Sequence, residues 1–306
     1  MIEMKLEIFA EDATFPFFIR YGGHVEDLYV HRHVDFSELV IVLGGSAEHV
    51  VGDERYPIGK GDVFVVGMGN CHGYEKVSNL RLCNVMFRPE VMLSGDYDVT
   101  QLPGFHALFL VDPHFHGVNG FLKERRLPAE RFAVLYSMAD EAIREYDSEN
   151  PGRKTLLFTY FMQMVVYLSR MYDYMHHVEA NVKDVPDMLP APQGLAENDH
   201  AGIDGIARAA AFMEAHYMEE IREAQLLEIS HFSKRHFIRR FSAVYHISPQ
   251  KYLLRLRIRH ACTLLRDSTL AVTDVALRCG FSDANYFSRV FRRERGVTPT
   301  QYRSGV

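Results

Sequence analysis

The last hundred residues of this 306-residue chain match themselves at an interval of fifty. Phe237 answers to Phe287, Arg239 to Arg289 and Phe241 to Phe291. Ser248-Pro249 answers to Thr298-Pro299, and Tyr252 to Tyr302. A repeat of that length is one supersecondary unit laid down twice, and the cleaner second copy says which unit. Residues 272–279 have helical spacing with small Ala276 at the centre, where a neighbouring helix can approach closely. Gly280 can supply the positive φ of a tight turn, and Phe281 plugs the corner. Asp283 is placed to cap a helix over 284–295 that Gly296 ends. Helix, glycine turn and capped helix make a helix-turn-helix. Phe287, Val290 and Phe291 form its inner face; Asn285, Ser288, Arg289 and Arg292 form the outer one. In the first copy Ser233 is the expected cap, and Phe237, Phe241 and Val244 face inward. Arg235, Ile238, Arg239 and Ser242 face outward, with Lys234 and Arg240 beside them. A long helix over 249–266 is predicted to join the copies.

The charge follows the repeat. Residues 1–202 hold 17 basic against 30 acidic side chains, whereas 203–306 hold 17 against 10; from Ile229 onward the count is 15 against 4. A basic tail on an acidic body suggests that one half meets a polyanion and the other does something else. An Arg-rich helix alone is more often a solvated face. Two of them in duplicate, each led by a helix-turn-helix, point to double-stranded DNA read in successive major grooves. Arg offers a bidentate fork to guanine, Asn285 can pair with adenine, and Ile238 and Ala284 can meet thymine methyls.

These residues carry a resemblance. The run VTDVALRCGFSDANYFSRVFRRERGVTPTQYR (272–303) is similar to the signature of AraC-family transcription regulators, and the likeness spans 203–306. It implies an all-α domain with two helix-turn-helix units that binds DNA. Arg235, Ile238 and Arg239 align with base-reading positions of the first unit; Ala284, Asn285 and Arg289 align with those of the second. Lys234 and Arg292 complete the expected DNA-binding set. The first unit departs from the pattern: Leu227 and Ser230 stand where the family usually has alanines, and His246 where it has glycine.

The first ninety residues read as a β-sandwich or barrel. Short β-branched and aromatic runs over 39–43, 47–51, 62–66 and 80–87 end at Gly44-Gly45, Gly52-Asp53, Gly67 and Pro89. Within them lies H-x-H-x4-E-x6-G, formed by His31, His33, Glu38 and Gly45. A second string, from Gly61 through Gly67 and Gly69 to His72, follows it. The pair resembles the two motifs of the cupin barrel, with Gly67 and Lys76 replacing the usual proline and asparagine. Strand alternation puts His31 and His33 on one face. Three readings remain open: a bound divalent metal held by His31, His33, Glu38 and His72, a polar pocket for a small molecule, or structural histidines. The stretch 29–89 is similar to the sensory domains of sugar-responsive AraC-type regulators, the L-rhamnose-responsive ones above all, and LPGFHALFLVDP (102–113) extends the likeness. That favours an effector pocket of His31, His33, Glu38, His72 and Tyr74, with Arg20 and Arg88 as further clamps, over an enzyme or a required cofactor.

After an irregular stretch, two helices are predicted. The first carries Phe132, Leu135, Ala139, Ala142 and Tyr146. The second carries Leu157, Phe161, Met164, Leu168 and Met171 at heptad spacing. That seam either packs on the barrel or meets a second subunit; a homodimer seam is the expectation. The uncharged run 155–169 is too short to span a bilayer, and the N-terminus lacks a signal peptide's apolar core. Four scattered cysteines form no metal spacing, which suits a reduced, cytoplasmic chain. The expected order is therefore a cupin (double-stranded β-helix, jelly-roll) sensory barrel over 1–95, an irregular segment and helical dimerisation hairpin over 96–177, a linker over 178–202, and the AraC-type DNA-binding domain over 203–306. The expected function is a dimeric transcription regulator controlled by a sugar or sugar acid, contacting RNA polymerase if it activates. The rivals are a metal-dependent cupin enzyme tethered to a DNA-binding domain, and a regulator whose barrel only dimerises.

Overall fold

The computed structural model describes residues 2–10, 12, 14–93, 97–111, 126–175 and 201–304. Nearly all of the expected linker lies outside them. The chain divides into two compact units, Met1–Ile203 and Asp204–Val306.

The first unit is built on strands β1 (Ile2–Met4), β2 (Phe17–His24), β3 (Leu28–His33), β4 (Ser37–Val51), β5 (Glu54–Gly59), β6 (Val63–Val66) and β7 (Cys71–Phe87). They form one sheet in the order β1-β3-β7-β4-β5, with β2 also on β7 and β6 also on β4. β4 and β7 are long enough to bend and serve two neighbours each. The expected break at Gly44-Gly45 is therefore a correction: β4 continues through it, and the register slips there against β7. Gly45 has φ +73°, and a Cβ there would sit 2.0 Å from the Asn79 carbonyl oxygen, so the bulge requires glycine. Alternating Val40, Val42, Phe64, Val66 and Leu82 fill the interior.

The irregular stretch is helical where it is described. Short α1 (Pro89–Met92) is followed by α2 (Pro103–Phe105), which runs on as a π-helix over His106–Val111. Pro and Gly in that stretch mask its helical pattern in the sequence. The hairpin comprises α3 (Ala129–Tyr146) and α4 (Arg153–Met175). Its heptad seam faces inward, so the residues expected to meet a second subunit are covered within the protomer. Leu157, Phe161 and Met164 have no exposed surface, Leu168 has 3%, and Met171 is half-buried. Phe161 packs against Phe17 of β2 and Phe87 of β7, with ring centroids 5.7 and 4.8 Å apart. The seam is covered by its own barrel because β2 and β7 turn an aromatic outer face toward it.

The second unit is all α: α5 (Ala201–His216), α6 (Glu223–Ser230), α7 (Lys234–Tyr245), α8 (Pro249–Asp267), α9 (Val272–Arg278), α10 (Ala284–Arg295) and α11 (Pro299–Arg303). The repeat holds down to ring geometry. The Phe237–Phe241 and Phe287–Phe291 centroids are both 5.6 Å apart, and the Phe241–Tyr252 and Phe291–Tyr302 centroids both 5.4 Å. Ser248 and Thr298 each accept from the backbone N–H three residues on, with proline next to both. Gly280, at φ +80°, lies so close to the chain just after α5 that a Cβ would stand 2.6 Å from the Tyr217 carbonyl oxygen. The left-handed cap at Gly296 has its counterpart at His246, with φ 57°. A side chain there costs about 1 kcal/mol, so His246→Gly should stabilise the unit by about 0.5–1 kcal/mol. A rise in the urea midpoint would check it.

Candidate functional site

The second unit presents two helices outward. Asp283 caps α10 by accepting from the Asn285 and Tyr286 N–H groups at 2.7 and 3.2 Å. This fixes the angle at which the first turn leaves the glycine corner. Phe287, Val290 and Phe291 are buried at 2% exposure or less. The same helical spacing leaves Asn285, Arg289 and Arg292 exposed, with Ala284 half-buried. On α7 the buried face is Phe237, Phe241 and Val244. Lys234, Arg235 and Arg239 are exposed and Ile238 is half-buried. Ser233 occupies the cap position of α7 without a side-chain hydrogen bond, so the expected cap is absent there. Lys234 pairs with Glu223 of α6 at 2.8 Å, which partly neutralises it. Between the two helices runs α8, nineteen residues and so about 28 Å long, a span near the ~34 Å pitch of the duplex.

The first unit gathers its histidines in the sheet interior. Alternation buries His31 and His33 and exposes Arg32. The β3·β7 register sets His31 opposite His72, and Glu38 enters from the start of β4. His33 Nε2 lies 3.1 Å from His72 Nε2. One Glu38 carboxylate oxygen lies 3.7 Å from the former and 3.5 Å from the latter. His31 Nδ1 meets the Tyr29 carbonyl oxygen at 3.2 Å. All four side chains and Tyr74 are at most 4% exposed. Phe36 stacks on the His33 ring at 4.2 Å.

Two segments match known families: residues 16–142 the AraC-like ligand binding domain, and residues 226–305 a helix-turn-helix domain. The HTH-type transcriptional activator RhaR of Escherichia coli (strain K12) is 30% identical over 280 residues, covering 91% of this chain and 88% of that protein. The chain belongs to the AraC family. RhaR of Mannheimia succiniciproducens is 28% identical over 277 residues, covering 90% and 87%. Among solved structures, the DNA-binding domain of AdpA in complex with a target DNA is 32% identical over 33% of this chain and 91% of that chain, with a TM-score of 0.32. This AraC-family chain is thus a DNA-binding transcription regulator with a cupin-like sensory unit and a helix-turn-helix unit.

Five of the residues expected to line an effector pocket, His31, His33, Glu38, His72 and Tyr74, lie together in the interior. Arg20 and Arg88 do not join them: Arg20 pairs with Asp147 at 2.8 Å on an exposed surface, and Arg88 pairs with Asp35. His49 belongs to the cluster although no motif marks it. Its Nε2 lies 3.1 Å from His72 Nδ1, and its ring stacks on Phe64 at 4.5 Å. The β4·β7 register, which pairs His49 with Tyr74, brings it there. Burial governs the charge of the group. It pushes the Glu38 carboxyl up to about 8 and, helped by neighbouring His31, the His33 imidazole down to about 3. His31 is lowered and Tyr74 raised for the same reason. At neutral pH His31, His33, Glu38 and Tyr74 are therefore mostly uncharged polar groups in a low-dielectric interior, suited to orienting a bound group.

Proposed function

We propose that the chain activates transcription in response to a sugar or sugar acid sensed at the histidine cluster. It acts as a regulator and not an enzyme. The observation that carries the DNA-reading half is the duplication itself, two helices of equal length presenting Arg235, Ile238 and Arg239, and Ala284, Asn285 and Arg289, over phenylalanine-packed inner faces. Base-reading and phosphate-holding roles for these residues, with Lys234 and Arg292 at the margins, follow from their chemistry. The relatives' names as activators support a contact with RNA polymerase. No helix among the described residues is long and apolar enough to cross a membrane, and a cytoplasmic regulator fits that.

A homodimer would double the operator contacts. With the Leu157–Leu168 seam buried, pairing falls to the outer hairpin face, where Val134, Tyr136 and Leu156 are about 40% exposed. The effector biases the population of arrangements that can bind two half-sites. Convergent buried polar side chains are the support for an effector at this position, since such groups fix the orientation of hydroxyl-rich ligands.

Arg289→Ala tests the DNA-reading assignment. It should weaken operator binding by about 1–3 kcal/mol, roughly 5- to 150-fold, and relax sequence preference at the contacted base. An unchanged gel-shift midpoint would remove Arg289 from the reading face.

A further inference from the structure

We infer that a second ligand site lies between the two helix-turn-helix copies, in a cleft that takes a small organic anion with an aromatic or alkyl body. The cleft holds about 450 Å³, within the ~300–1,000 Å³ of small-molecule sites. Both copies contribute to it. Tyr245 and Ile247 come from the end of α7 and just beyond, Glu294 and Arg295 from the end of α10, and Arg255 and Arg259 from α8. Glu214 of α5 completes the lining. The cleft turns away from the duplex. At about 100° per residue, Glu294 stands about 180° round α10 from Asn285 and about 140° from Arg289. It therefore borders the side of α10 opposite the outward face, and its occupant is a molecule other than DNA.

The charge in the cleft has one cation to spare. Three guanidinium groups, those of Arg255, Arg259 and Arg295, face the two carboxylates of Glu214 and Glu294. Glu214 is engaged on both oxygens, which take the Tyr252 hydroxyl and Arg259 Nη2 at 2.7 Å each. Glu294 is held more loosely. Arg255 Nε stands 3.6 Å from it and Arg293 Nε 3.4 Å, beyond the ~2.7–2.9 Å of a charged hydrogen bond. Arg295 is exposed and has no carboxylate partner among the described residues. The Arg255 and Arg295 forks are thus available to an incoming carboxylate, whose two oxygens match a guanidinium edge. The Tyr245 and Tyr252 rings, with centroids 4.8 Å apart, and half-buried Ile247 supply apolar surface for the body of the ligand. An anion held by α8 and α10 beside the end of α7 restrains how the two copies sit on the duplex, so ligand and operator binding are coupled.

The site is separate from the histidine cluster of the sensory barrel, so its failure leaves the proposed function standing. The test titrates the full-length chain with cinnamate and with its uncharged counterpart cinnamamide, followed by calorimetry. Cinnamate should bind saturably, about tenfold or more tighter than the amide. The pair Arg255→Gln/Arg295→Gln should weaken cinnamate by about tenfold or more and leave the amide where it was. Glu294→Gln removes the competing carboxylate and should tighten cinnamate, a gain that misfolding does not produce. Exposed Arg278→Gln, on α9 and outside the cleft, is the control and should bind as the parent does. Saturating operator DNA should shift the cinnamate midpoint by about fivefold or more. The inference is overturned if cinnamate shows no saturable binding or binds no better than the amide. Binding that survives the double substitution, as binding in the barrel would, or a midpoint indifferent to operator DNA, overturns it equally.

Discussion

Phe161→Ala is expected to destabilise the sensory unit by about 3–5 kcal/mol. Phe161 has no exposed surface, and its ring meets both Phe17 and Phe87. Truncation removes its transfer free energy and leaves a cavity between helix and sheet. Neither β2 nor β7 can close that cavity, because both are fixed along their length by ladder hydrogen bonds. Urea denaturation of the full chain, followed by circular dichroism, should show the sensory transition falling by at least about 1 M while the helical unit is unmoved. The alternative is equally visible. If α4 were a subunit seam, Phe161→Ala would split a dimer in sedimentation and leave the protomer's own midpoint in place.

Glu214→Ala is expected to cost the DNA-binding unit about 3 kcal/mol. Glu214 of α5 is 4% exposed, accepts from the Tyr252 hydroxyl at 2.7 Å and pairs with Arg259 Nη2 at 2.7 Å, both on α8. Alanine deprives the guanidinium of its counter-charge in a confined space. The Arg259 side chain keeps 35% exposure, which holds the loss to the lower end of the range for broken buried pairs. Since α8 sets the separation of α7 and α10, operator affinity should fall together with the melting temperature. Glu214→Gln, which retains an acceptor for Tyr252, should recover part of both. A Glu214→Ala chain with parental stability and affinity would sink this account of how the two readers are held apart.

The DNA-reading half was legible because its signals are local. Phenylalanines at i and i+4, a capping Asp283, a turn glycine at 280 and a proline after each cap all act within one or two turns of helix. The fifty-residue interval carried the phenylalanine pair across to α7, with a left-handed end at His246 where the side chain is unfavourable, but not the side-chain cap, which Ser233 does not make. The histidine cluster was legible only in part. H-x-H alternation places His31 and His33 together on any strand, but nothing along the chain couples them to His49. That neighbour arises from the β4·β7 pairing, with His49 and His72 separated by 23 positions in the chain.

The seam on α4 marks the same limit. Its heptad spacing determined that one face of the helix is buried and left open what buries it. Phe17, at the far end of the first unit's sequence, supplies the answer. Sequence by itself therefore determined the repeat, the sign of charge on each half, the two helices with outward arginine faces and the core of a polar cluster, because each depends on periodicity or turn chemistry inside one element. The tertiary structure decided that the seam belongs to the barrel, that Gly44-Gly45 is a bulge, and that a fourth histidine completes the cluster. Those depend on register and on packing partners distant in the chain, where apolar and polar patterns say which side is covered and pairing geometry says by what.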